Sequence, residues 1–177
     1  MTPDLVAVVG PSGAGKDTLM EAACAGTPGI RAVRRVITRP TKAGGEDFEG
    51  ISEAEFDRRL SAGDFALTWA AHGLRYGLPK SELTGGGTLL FNASRAVLEE
   101  AARLWPGLRV VRITAPPEVL AARLAGRGRE DAQDQARRVA RASFALPEGI
   151  RAVTVVNDAD PATGLQRFLA ALEPVRG

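Results

Sequence analysis

The chain has one cysteine, one histidine, no long apolar run and almost no net charge. Each scarcity removes a class of protein. A single cysteine, Cys24, excludes an internal disulfide and suits a reducing compartment. It reads as a small buried apolar residue of the first helix, not as a nucleophile. The lone histidine, His72, stands beside Gly73 and reads as a solvated loop residue. No run approaches the ~20 apolar residues that span a bilayer. Met-Thr-Pro-Asp leads into the first strand with no charged-then-apolar signal segment. A cytoplasmic protein with no membrane partner is expected. The net charge of +2 is too small to argue for nucleic acid. There is no internal repeat and no low-complexity tract.

What is present is an ordinary globule. At 177 residues, 45% hydrophobic and 25% charged, the chain can bury one sizeable core, as a monomer or a homodimer. Apolar, β-branched runs recur at Leu5–Val9, Val33–Ile37, Thr88–Phe91, Leu108–Ile113 and Ala152–Val156. Helical stretches alternate with most of them: Ser94–Leu104, then Pro116 through Leu124, then a last helix opened by Pro161. This predicts an α/β fold of three layers, a central parallel sheet with helices on both faces.

Residues 39–82 break the alternation. They hold a capping box at Ser52-x-x-Glu55, a short amphipathic helix with Phe56 and Leu60, a candidate strand Phe65–Trp69 and a candidate turn Gly73–Gly77. A small inserted subdomain is expected there, ended by Gly85-Gly86-Gly87. The core would be residues 1–38 and 83–177.

Gly10-Pro-Ser-Gly-Ala-Gly-Lys-Asp-Thr18 follows the first apolar run and precedes a helical stretch. Glycines let backbone N–H groups turn inward on phosphate oxygens, and the helix start adds its positive dipole end. The pattern G-x-x-x-x-G-K arises by chance in about 5% of chains this long. The strand before and the helix after make it a phosphate loop (P-loop), so a nucleoside triphosphate is expected. Gly10, Pro11, Ser12, Gly13, Ala14, Gly15, Lys16, Asp17 and Thr18 are its candidate cradle. Lys16 supplies a cation for the outer phosphates. A hydroxyl normally follows the lysine and holds Mg²⁺; here Asp17 stands in that place. Arginine is concentrated in residues 31–39 and 123–141. In a phosphate-loop protein such clusters converge on phosphates; a solvated basic face is the alternative.

Further motifs fall in an order that resembles the guanylate kinases: Gly10–Lys16, Ile37-Thr38-Arg39-Pro40, Arg75-Tyr76-Gly77, Gly126-Arg127-Gly128-Arg129 and Val156-Asn157-Asp158. The resemblance covers nearly the whole chain. Within that superfamily the chain is most similar to the ribose 1,5-bisphosphate phosphokinases. Gly15–Thr18, Ile37–Arg39, Gly-Leu-x-Tyr-Gly at 73–77, Asn-x-Ser-Arg at 92–95 and Gly126–Glu130 carry that similarity. It implies ATP-dependent phosphorylation of a sugar phosphate to 5-phosphoribosyl 1-diphosphate, in phosphonate catabolism.

Guanylate kinases carry two acids that read guanine. Here Leu67 aligns with one, and Phe91-Asn92-Ala93-Ser94 lacks the other. Arg39, Tyr76, Asn92, Ser94 and Arg95 instead offer cations and neutral polar groups to a sugar bisphosphate, with Tyr76 as a packed aromatic the alternative. Two readings of Asp17 stand: it supplies the anionic Mg²⁺ ligand that the strand end lacks, or it favours the helix start as acids do. Arg123, Arg127 and Arg129 surround Gly126 and Gly128 as an arginine-rich lid at about 123–137. Resemblance places one or both of Arg138 and Arg141 toward the transferred phosphoryl group and the acceptor phosphate, Arg129 toward the acceptor and Asn157 near the adenine. The competing functions are a GMP kinase and a non-catalytic binding module.

Overall fold

A computed structural model describes residues 3–11, 13–40, 47–125 and 146–173. Nine strands fall into two sheets among these residues. The larger sheet contains β1 (Asp4–Val9), β2 (Ile30–Ala32), β7 (Thr88–Asn92), β8 (Arg109–Thr114) and β9 (Val153–Val156). Its order is β2-β7-β1-β8-β9, with every neighbouring pair parallel. β1 lies in the middle, so its apolar run is buried from both sides, as parallel central strands require. Side chains alternate across it. Val6 and Val8 pack on one face with Leu19 and Met20 of α1 (Lys16–Gly26), and with Phe168 and Leu172 of α5 (Pro161–Leu172). Leu5, Ala7 and Val9 pack on the other with Leu98 and Ala101 of α3 (Leu98–Leu104). That alternation produces the three layers.

The smaller sheet has the order β4-β3-β6-β5, from β3 (Arg35–Ile37), β4 (Phe48–Gly50), β5 (Phe65–Ala71) and β6 (Leu74–Pro79). Its β3–β4 pair is parallel and its β3–β6 and β5–β6 pairs are antiparallel. Helix α2 (Glu53–Ser61) covers one face through Phe56, whose ring stacks on Phe65 at 4.8 Å. Helix α4 (Pro117–Ala125) completes the described helices.

Three features differ from the sequence expectation. Residues 33–37 are not one strand: the chain leaves the large sheet after β2 and enters the small one at β3. An apolar run does not say which sheet it joins. Gly73–Gly77 is not a turn. The turn is His72-Gly73, both at positive φ (54° and 73°), as a two-residue hairpin needs. Gly77 lies within β6, where the Phe65 ring packs against it. In α2 the expected box is half formed: Ser52 Oγ accepts from Glu55 N at 3.1 Å, while Glu55 pairs with Arg58. Phe56 is buried, but Leu60 is 43% exposed.

Candidate active site

The glycine loop joins β1 to α1 at the end of the large sheet. Gly10 has no room for a side chain, since a Cβ there would run into Ile113 O of β8. Gly15 is the N-cap of α1 with φ 89°, and no side chain caps the helix. The first N–H groups of α1 are therefore left for a ligand. Lys16 folds back over the loop and donates from Nζ to Gly10 O at 2.7 Å.

The loop is clasped from behind. Asn157 follows β9, and its N–H donates to Thr114 O at 2.7 Å. Its side chain is 8% exposed and donates from Nδ2 to Ala14 O at 2.8 Å. Arg123, from α4, donates to Gly13 O at 2.9 Å and to Asn157 O at 2.6 Å. The Asn157 amide fits between two glycines: a Cβ on Gly15 would lie 2.6 Å from Nδ2, and one on Gly164 would overlap Oδ1. Buried polar groups need partners, and here those partners are loop carbonyls. Arg123 and Asn157 thus shape the cradle from its protein side.

Asp17 and Thr18 are exposed in the first turn of α1. Asp17 makes no hydrogen-bonded cap. Its Oδ1 accepts from Asn92 Nδ2 at 3.0 Å, so the loop acid meets the amide at the end of β7. The two residues line a cleft of about 700 Å³, together with Met20, Glu21, Val33 and Arg34.

The acceptor candidates come from β6, from the segment after β3, and from the end of β7 with the 3₁₀ turn that follows it. Tyr76 lies in β6, 9% exposed, stacked on Trp69 with ring centroids 5.4 Å apart and planes at 7°. The Arg39 guanidinium lies 4.4 Å from the centre of the Phe48 ring. Ser94 uses its hydroxyl to accept from Ala96 N at 3.3 Å and so opens a 3₁₀ turn at Arg95–Val97; Arg95 is exposed. Leu67, which aligns with one guanine-reading acid, and Ala93, in the stretch that lacks the other, are buried together in the apolar cluster beneath β1. Ser12, Arg127, Arg129, Arg138, Arg141 and most of the expected lid lie outside the described residues.

Arg35 is the residue that sequence reasoning undervalued. It is 7% exposed on β3 and donates from Nη1 to Asn92 O at 3.1 Å. Its guanidinium sits 4.9 Å from the Tyr76 ring centre and 5.9 Å from that of Trp69. The available signal was an arginine inside an apolar strand, where a buried charge demands partners. His72 is exposed at its hairpin turn. Burial pushes the Cys24 thiol above its ordinary value, which keeps it protonated and inert near neutral pH.

No family model matches the chain. The ribose 1,5-bisphosphate phosphokinase of Ruegeria sp. (strain TM1040) is 56% identical over 157 residues, 87% of this chain and 83% of that protein. The chain belongs to the ribose 1,5-bisphosphate phosphokinase family. The phosphokinase fold it shares is that of guanylate kinases: the crystal structure of guanylate kinase from Anaplasma phagocytophilum superposes with a TM-score of 0.66 over 99% of this chain and 89% of that one. At 18% identity that likeness concerns the fold alone. The bifunctional ribose 1,5-bisphosphokinase-thymidine phosphorylase of Cupriavidus necator is 50% identical over 93% of this chain, which spans 28% of that longer protein. No helix among the described residues is long and apolar enough to cross a membrane.

Proposed function

We propose that the chain transfers the γ-phosphoryl group of ATP to the 1-phosphate of ribose 1,5-bisphosphate, giving 5-phosphoribosyl 1-diphosphate and ADP. The observation that carries this reading is the 56% identity to the Ruegeria phosphokinase across most of both chains. The site is compatible with it. Leu67 is buried among apolar side chains and Phe91-Asn92-Ala93-Ser94 contains no acid, so neither stretch offers a carboxylate to a base. A guanine amino group would lack its partner there, which is a heavy discrimination penalty.

The chemistry is in-line displacement. An oxygen of the acceptor phosphate bonds to the γ-phosphorus, the bond from that phosphorus to the bridging oxygen breaks, and ADP leaves with the electron pair. The acceptor oxygen is mostly ionised near neutral pH, so no strong general base is needed. Positioning and charge neutralisation then do most of the work. Lys16 would hold the outer phosphates above N–H groups kept in place by the Arg123–Asn157 clasp. Arg39, Tyr76 and Arg95 are proposed for the acceptor side, and Arg127, Arg129, Arg138 and Arg141 for the closing lid.

The donor set suits Mg²⁺. Among the described residues no group of three or more His, Cys, Asp and Glu side chains could cage a metal. One exposed carboxylate, Asp17, with phosphate oxygens and waters is the shell a hard, strongly hydrated ion accepts. When bound, Mg²⁺ would neutralise charge on the β- and γ-phosphate oxygens. A role in phosphonate catabolism and in supply of 5-phosphoribosyl 1-diphosphate follows from the product.

A coupled assay for ADP, with ATP and either ribose 1,5-bisphosphate or GMP, tests the reading. Turnover is expected with the sugar bisphosphate. Turnover with GMP alone overturns the acceptor, and no turnover with either makes the domain a binding module.

A further inference from the structure

Asp17 and Asn92 lie 75 residues apart in sequence and meet at 3.0 Å. Asn92 is itself held, because its backbone carbonyl accepts from Arg35 at 3.1 Å. Arg35 comes from the small sheet and lies against Tyr76 and Trp69. The contacts therefore run without a gap from the small sheet, through the end of β7, to the acid of the glycine loop.

An exposed aspartate at a helix start samples several rotamers, and fixing one to meet a ligand has an entropic cost. The Asn92 amide occupies one carboxylate oxygen and so turns the other outward. An amide can do this, whereas a carboxylate at position 92 would repel Asp17 at that distance. Outer partners of this kind orient metal ligands and are costly to lose. A buried arginine is a firm anchor for such a partner, since its planar fork loses little freedom on bonding.

We propose that Asn92 and Arg35 are positioning residues for Asp17. Asn92 orients the carboxylate toward the nucleotide-bound magnesium, and Arg35 ties that orientation to the small sheet that faces the acceptor. The proposal rests on the reading of Asp17 as the magnesium ligand. It moves Asn92 from touching the sugar to acting through the loop acid.

The test is a double-mutant cycle read by binding, with no acceptor and no turnover. Affinity for a non-hydrolysable ATP analogue is measured calorimetrically with excess Mg²⁺ and with EDTA, and the ratio is the magnesium gain. Asn92→Ala in the otherwise native chain is expected to reduce that gain about tenfold, the worth of a hydrogen bond to a charged group. In an Asp17→Ala background it is expected to change nothing. Arg35→Lys is expected to lower the gain in the same direction, again only when Asp17 is present. If Arg35→Lys does not fold, the Asn92 cycle decides alone. An Asn92→Ala loss of equal size in both backgrounds overturns the proposal and leaves the reading of Asp17 standing. An Asp17→Ala chain whose magnesium gain is undiminished overturns both.

Discussion

Gly164 lies near the start of α5, and a methyl on its Cα would overlap Oδ1 of the Asn157 side chain. In the native chain Gly164→Ala must therefore push aside a buried amide that also holds Ala14 O. Overpacking of this kind costs about 1–3 kcal/mol, and strain on the Asn157 hydrogen bond adds about 1 kcal/mol. Helix propensity returns about 1 kcal/mol, since alanine outranks glycine within a helix. The net expectation is destabilisation by about 1–3 kcal/mol. Removing the amide reverses the sign. Asn157→Ala alone costs about 2–3 kcal/mol through the lost bond and the void, but the void accepts the new methyl. In that background Gly164→Ala is expected to stabilise by about 1 kcal/mol. Urea unfolding of the four chains at a shared m-value measures the coupling, about 2–4 kcal/mol. Additive effects, or a stabilising Gly164→Ala in the native chain, would refute the view that the Asn157 amide fills the space between the loop and α5.

Two further outcomes follow from the same structure. Asp160 caps α5 by accepting from Thr163 N and Thr163 Oγ1, and these bonds hold its carboxyl below the usual carboxylate range. The stability it adds is present above the ordinary carboxylate value and is lost as pH falls through the lower folded value. Thermal melts across acid pH should show a shallower decline for Asp160→Asn; superimposable declines would contradict the assignment. Leu67→Glu places an unpaired carboxylate in the apolar cluster under β1. It should cost more than about 3 kcal/mol in urea unfolding and bring no turnover with GMP in the coupled assay, while GMP turnover in a stable variant would overturn the account of that position.

The parallel sheet was legible because its central strands are buried on both sides and read as unbroken apolar runs, as Leu5–Val9 does. The cradle was legible because its glycines and lysine form a contiguous motif between a strand and a helix, with Gly15 answering a local demand for positive φ. The small sheet was less so. β3, β4 and β6 are short or punctuated by glycine, and Val33–Ile37 reads as continuous although a sheet boundary crosses it. Arg35 was undervalued for the same reason: nothing local to positions 34 and 35 says which arginine turns inward.

Position 17 divides the two kinds of information. Residue order alone determined that an acid follows the loop lysine and that no acid ends β7, because both are facts of composition along a motif. Only the tertiary structure decided that these two places touch, with Asn92 donating to Asp17 and Arg35 holding Asn92 from another sheet. It also decided that Asn157 and Arg123 grip the back of the loop. The physical reason is reach. Backbone conformation and strand burial are set by neighbours in the chain, whereas a side chain's hydrogen-bond partner is whatever the packing of distant strands brings within about 3 Å.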